Sequence, residues 1–201
     1  MSASVSSIPF IVEKKAKVYT IAEYLRLEEK SKARHEFYNG KIIKMANALF
    51  YHNLIATNTA FAIKSEVKNL TRKYLIVGDG QKIYIEPENV IVSPDALVIC
   101  ETPQFWDGKN YIITNPLLVV EVLSRSTAVY DRIAKFDLYK LLPSFQEYVL
   151  IDPKKVLVET RFREQEDLWR IKSETVRENR IVLRSMDISI AVEDVYDNVV
   201  F

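Results

Sequence analysis

Two runs decide how this chain is read: Ser93-Pro94-Asp95-Ala96-Leu97-Val98-Ile99 and Leu117-Leu118-Val119-Val120-Glu121-Val122-Leu123. Both have the length and apolar content of strands buried on two faces. The first carries an acid at its head and the second carries one in its middle, 26 residues on. A carboxylate inside an apolar strand is unfavourable unless something answers its charge. No arginine lies directly beside either acid. A divalent cation gripped by both carboxylates is therefore the expected partner, and a buried Arg or Lys arriving from elsewhere is the alternative.

Upstream of these runs, residues 1–19 read as a mobile arm and residues 20–201 as a single domain. Thr20-Ile21-Ala22-Glu23 has the spacing of a capping box and opens a helix to about Lys32. Asn39-Gly40 marks a hairpin turn and puts Glu36 on the hairpin's first strand. A helical pattern from about Tyr51 to Leu70 precedes short strands at Tyr74–Val77, Lys82–Ile85 and Val90–Val92. Downstream, a helix over 128–142 ends before Pro143, and Glu147–Ile151 forms a further strand. An antiparallel hairpin follows over Val156–Arg163 and Leu168–Glu174, with a short strand at Ile181–Leu183; Ile188–Val199 is ambiguous. This order predicts an α/β (α+β) architecture, a mixed β-sheet flanked by helices with added N-terminal and C-terminal β-hairpins.

The 201 residues are 48% hydrophobic and 27% charged, enough for a substantial core. The net charge of +1 does not advertise nucleic-acid binding, although the local distribution of charge, not its sum, steers a polyanion. Cys100 is the single cysteine, which excludes an internal disulfide and fits a reducing compartment. No leader peptide or membrane-spanning run is seen, so a soluble, cytoplasmic protein is expected. The four glycines form no GxGxxG or P-loop pattern, which argues against a nucleotide cradle.

A Pro-Asp heading one strand and a Glu within the next suit phosphodiester cleavage. Hard cations such as Mg²⁺ or Mn²⁺ take oxygen ligands and polarise a phosphoryl oxygen. Asp95 and Glu121 are the candidate ligands, with the carbonyl of Val122 as a third. In the PD-(D/E)XK pattern a lysine lies two residues after the Glu, but Leu123 stands there. The nearest replacement is Lys135, which shares a helix face with Asp131 and Tyr139 at spacings of four. Spacing alone favours an exposed Asp131–Lys135 ion pair with no role in the chemistry.

Four motifs in order carry a family resemblance: Ser93-Pro-Asp-Ala-Leu-Val, Val119-Val-Glu-Val-Leu-Ser-x-Ser-Thr127, Asp131-Arg-x-x-Lys135-x-x-x-Tyr139 and Gln146-Glu-Tyr-Val-Leu-Ile-Asp-Pro153. With His35-Glu-Phe-Tyr-Asn-Gly-Lys41 and His52 upstream, the chain resembles a cyanobacteria-rich family of restriction-endonuclease-like proteins long classed as a domain of unknown function. The resemblance covers about residues 20–195. It implies that the catalytic lysine has moved onto the helix as Lys135, with Asp95 and Glu121 as metal ligands and Glu36 as an additional acid. It also implies metal-dependent DNA cleavage. Arg125, where a proline is common, and Pro143-Ser-Phe145, in place of a glycine turn, depart from the family pattern.

Several further readings remain open. Glu36 is either near the metal or paired across the hairpin with a lysine such as Lys41. His52 either supports the site or packs at a helix start. Ser124 and Thr127 read as helix caps, and Arg125 and Arg132 as phosphate contacts. The loop holding Phe105, Trp106 and Tyr111 either contacts DNA or a second subunit, or folds onto its own core. A homodimer is expected as the arrangement able to cut both strands. The alternative function is a catalytically silent nucleic-acid-binding or protein-interaction module on the same fold.

Overall fold

A computed structural model describes residues 17–124 and 127–201 of the chain. Residues 1–16 of the expected arm, and Arg125, lie outside the described residues. Helix α1 (Ile21–Lys30) starts on the expected capping box: the Glu23 amide donates to Thr20 Oγ1 at 3.2 Å and the Thr20 amide to Glu23 Oε2 at 2.8 Å. Strands β1 (His35–Tyr38) and β2 (Lys41–Lys44) form the hairpin. Its turn holds Asn39 at φ 43° and Gly40 at φ 89°. A Cβ at Gly40 would also lie 2.5 Å from Cγ1 of the exposed Val18, whose side chain would have to shift.

Next come α2 (Phe50–Val67), β3 (Tyr74–Val77), β4 (Lys82–Ile85), β5 (Val90–Val92), β6 (Ala96–Cys100), β7 (Ile112–Ile113) and β8 (Leu118–Val122). A continuous helix follows in three parts: α3 (Ala128–Tyr130), a π-helical turn (Asp131–Lys135) and α4 (Phe136–Lys140). The chain ends with β9 (Glu147–Ile151), β10 (Val158–Arg163), β11 (Trp169–Glu174), β12 (Arg180–Leu183), β13 (Ile188–Ala191) and α5 (Val192–Val195). The ambiguous C-terminal segment is thus a strand followed by one helical turn.

The strands build two main sheets where the sequence foretold one. The six-stranded sheet runs β11-β10-β9-β8-β6-β3, with β8 and β9 parallel and its other pairs antiparallel. The five-stranded sheet runs β2-β1-β5-β4-β7 and absorbs the N-terminal hairpin. The C-terminal hairpin β10–β11 extends the larger sheet, and β12–β13 form a separate pair.

Alternation along the central strands sends their side chains into two cores. Ala96, Val98, Val120, Val122 and Val149 join α2 and the C-terminal β13–α5 unit on one face. Leu97, Ile99, Val119, Tyr148 and Leu150 join β4, β5 and the α3–α4 helix on the other. Among the described residues, no helix is long and apolar enough to cross a membrane.

Candidate active site

The pairing of β6 with β8 sets Ala96 opposite Val120, so one further step places Asp95 opposite Glu121. Glu121 falls on the face that looks toward α3–α4, whereas Asp95, one residue before β6, is held from the α2 side. Asp95 Oδ2 accepts from the Val122 amide at 2.7 Å, and Oδ1 lies 2.9 Å from His52 Nε2 at the start of α2. His52 therefore holds the carboxylate of Asp95 in addition to sitting near a helix start.

Lys135 is where the expectations of sequence and the geometry meet. Its Nζ lies 2.8 Å from Glu121 Oε1, 3.3 Å from Glu36 Oε1 and 3.8 Å from Asp131 Oδ1. All four groups are buried, at 3–6% exposure, so Asp131–Lys135 is not a surface pair. Glu36, on β1 opposite Ile43 rather than Lys41, faces this cluster and not its hairpin neighbour. Tyr139 completes the helix face and donates to Glu121 Oε1 at 2.9 Å. The π-helical turn spans Asp131 to Lys135, a local departure that often accompanies functional residues.

The first expectation about charge needs correction. Glu121 is answered directly by the ammonium of Lys135, so a metal is not its sole partner. Among the described residues, no group of three or more His, Cys, Asp or Glu side chains could hold a metal ion. The remaining oxygens still suit Mg²⁺ or Mn²⁺, which need only one or two carboxylates, with water and substrate oxygens filling the shell. The hydrogen bonds and ion pairs of Glu121 among the described residues all fall on Oε1. One lysine also leaves the pocket's charge incompletely met. Burial raises the Glu121 carboxyl, Lys135 lowers it, and Asp95 and Asp131 raise it again, to about 8. A cation between Asp95 and Glu121 would relieve that excess. Burial likewise raises Asp131 above the usual range. For Lys135, burial disfavours the charge, but Glu121, Glu36 and Asp131 outweigh it and hold the amine well above 10.5. It is an ammonium at neutral pH.

Residues not singled out from sequence extend the network. Tyr130 donates to the Tyr38 hydroxyl at 2.6 Å, and Tyr38 to Glu36 Oε2 at 2.5 Å. The Ser93 amide donates to Glu36 Oε1 at 3.1 Å, and Lys82 Nζ reaches Ser93 Oγ at 3.4 Å and Glu28 Oε2 at 3.1 Å. Tyr38 and Ser93 stand inside the quoted motifs, which was the available signal. Nothing in the sequence pointed to Tyr130, Lys82 or Glu28.

Other expectations settle locally. The helix N-cap is Thr127, which makes no side-chain cap bond; Ser124 Oγ accepts from the Thr127 amide at 3.2 Å, just ahead of the helix. Arg132 pairs with Glu159 at 3.1 Å, which engages its charge. Trp106 packs on Tyr84 with ring centroids 5.1 Å apart, so this part of its loop folds onto the protein's own core. Phe105 and Tyr111 stay exposed.

Comparison with known proteins bears on the family and the fold. The Uma2 family model, described as "Putative restriction endonuclease", matches residues 21–193. Protein sll1609 of Synechocystis sp. is 38% identical over 136 residues, covering 68% of this chain and 76% of the relative. Protein slr1290 of the same organism is 32% identical over 185 residues, covering 89% and 92%. A crystal structure described as "a putative nuclease belonging to DUF820", from Anabaena variabilis, superposes with a TM-score of 0.69 at 20% identity, over 90% of this chain and 99% of that one. At that identity the likeness speaks for the fold. With its restriction-endonuclease-like sheet and the breadth of the family match, this chain belongs to the Uma2 family.

Proposed function

We propose that the chain is a divalent-metal-dependent endonuclease that hydrolyses phosphodiester bonds of DNA by PD-(D/E)XK chemistry. The observation that supports this reading is the buried Glu121–Lys135 pair, with Asp95 opposite Glu121 in the β6–β8 register and bound to the amide of the adjoining Val122. Asp95, Glu121 and the Val122 carbonyl would hold Mg²⁺ or Mn²⁺. When bound, such an ion neutralises charge on the phosphoryl group and acidifies water.

Lys135, kept protonated by its carboxylate neighbours, acts as a hydrogen-bond donor and not as a base. It orients the attacking water and favours the charge that builds on the phosphoryl oxygens. Glu36 fixes the ammonium and, through the Ser93 amide, fixes the turn that presents Asp95. His52 holds the rotamer of Asp95 and Tyr139 that of Glu121. Each support stands behind a proposed ligand, the position from which ligand orientation is set.

One observation favours a second reading. Lys135 already pairs with Glu36 and Glu121, and Leu123 stands where the pattern has its lysine. A catalytically silent nucleic-acid-binding module would keep such a self-paired cluster.

The test incubates plasmid DNA with Mg²⁺ or Mn²⁺ and the wild type, Asp95→Asn, Glu121→Gln and Lys135→Ala, with circular dichroism to verify folding. Cleavage by the wild type alone is expected. Cleavage that survives Asp95→Asn overturns the site assignment. No wild-type cleavage, no calorimetric metal binding and salt-dependent DNA binding would support the silent module.

A further inference from the structure

An open cavity of about 300 Å³ is lined in part by Asp95 and not by Glu121. One wall is a single face of α2, where Asn53, Ala56, Thr57 and Ala60 follow at spacings of three and four. The other wall is Gly78-Asp79, directly after β3, the strand paired with β6. Small residues keep the slot open: Ala56 and Ala60 on the helix, and Gly78, where an added Cβ would meet nothing within 4 Å. A larger cavity of about 440 Å³ lies by Leu117 and Gln146, at the other ends of the central strands and away from Asp95.

We propose that the cavity beside Asp95 is a nucleoside subsite, holding one unstacked base of the substrate strand next to the cleaved phosphate; this rests on the phosphodiesterase reading above. The polar groups on its walls suit an uncharged, hydrogen-bonding ring. The Asn53 side-chain amide makes no hydrogen bond among the described residues. The Thr57 hydroxyl donates to the Asn53 carbonyl at 2.9 Å and so offers its oxygen as an acceptor. The Asp79 carboxylate is an acceptor whose charge is met by Arg34, so the slot does not repel a polyanion through that group. Acceptors predominate, which favours a base carrying an exocyclic amino group over thymine. A base stacked in a duplex does not reach into this open cavity, so its occupancy favours a strand that is single or locally opened there. The subsite thus assigns a preference for single-stranded or unpaired DNA over intact duplex.

The test uses the full chain with Thr57→Tyr and Ala60→Phe, two independent ways to fill the slot. Neither residue belongs to the cluster around Lys135. Substrates are labelled single-stranded oligonucleotides, intact or with one abasic position walked along the strand. The expected result is a KM raised about tenfold on intact strands, the scale of one lost base contact, with kcat kept. On the strand abasic at the responsive position, variants and wild type should become indistinguishable. Unchanged KM in both variants, or an equal loss on every abasic strand, overturns the subsite. If the wild type cleaves nothing, the phosphodiesterase reading fails by itself, and the subsite is read by NMR of the Asn53 side-chain amide. A saturable shift with dCMP and none with TMP supports it; no shift with dCMP overturns it.

Discussion

Replacing Lys135 by Met tests the electrostatics of the cluster before any catalytic assay. The substitution keeps an apolar stem of similar length and removes the ammonium that lies 2.8 Å from Glu121 and 3.3 Å from Glu36. It leaves buried carboxylates without their cation, a change that costs about 3–5 kcal/mol when one partner of a buried pair is lost. For a domain of this size each kcal/mol moves the melting temperature by roughly 2–4 °C, so a fall of about 10 °C is expected. The loss depends on pH. With Lys135 present, Glu121 titrates at about 8 in the folded chain against an ordinary 4.5. Between those values the folded state binds more protons than the unfolded one, so metal-free stability falls as pH rises through the window. At about 1.4 kcal/mol per pH unit, that interval sets a ceiling of roughly 5 kcal/mol. At pH 6 Glu121 is protonated in both proteins, so the variant loses only the cation beside the other carboxylates; at pH 9 the wild type holds Glu121 ionised against Lys135, an interaction the variant lacks. Urea melts in EDTA at both pH values should therefore show a larger deficit at pH 9. The double variant Glu121→Gln/Lys135→Met, with both partners neutral, should recover part of it. A Lys135→Met protein as stable as wild type at pH 9, or a double variant weaker than the single, would refute this reasoning.

Further outcomes are expected elsewhere in the molecule. His52→Ala removes the 2.9 Å partner of Asp95 and should weaken Mn²⁺ binding by roughly 10–100-fold in calorimetry, as loss of a ligand's supporting group does; unchanged affinity would contradict that role. Tyr139→Phe deletes the 2.9 Å bond to Glu121 and should cost about 1 kcal/mol in urea melts. Glu147 is buried and accepts from the Arg184 and Ser185 amides and the Ser185 hydroxyl at 2.8–3.1 Å. Glu147→Ala orphans those donors and should destabilise by about 1–3 kcal/mol. Its register partner Leu118 lies three residues before Glu121, about 10 Å along the strand, so cleavage by the folded fraction should persist.

Much of this was legible in sequence because the signals were local. Thr20 to Glu23 spells a cap, Asn39-Gly40 a turn, and the β-branched runs at 90–99 and 117–123 spell buried strands. The two acids were visible at the head of one buried run and in the middle of the next, but the antiparallel register that sets Asp95 opposite Glu121 was not. The second sheet was not legible. It depends on β1 meeting β5 and β4 meeting β7, pairings between distant segments that no local pattern fixes. The π-helical turn was hidden because spacings of four fit an ordinary helix equally well. Lys135 was foreseen at the site, but its role as the direct partner of Glu36 and Glu121 was not, because its ammonium swings on four bonds and sequence does not say where it ends. The same limit concealed Tyr130 and Lys82, whose contributions exist only once strands and helix are assembled.

The central claim, that Asp95 and Glu121 together grip a divalent cation beside the Lys135 ammonium, is tested most directly by anomalous diffraction from crystals soaked in Mn²⁺. One manganese peak bonded to oxygens of both carboxylates, with Lys135 Nζ in the adjoining shell, is the predicted result. No peak there at saturating Mn²⁺, or a peak bound by neither acid, would contradict it.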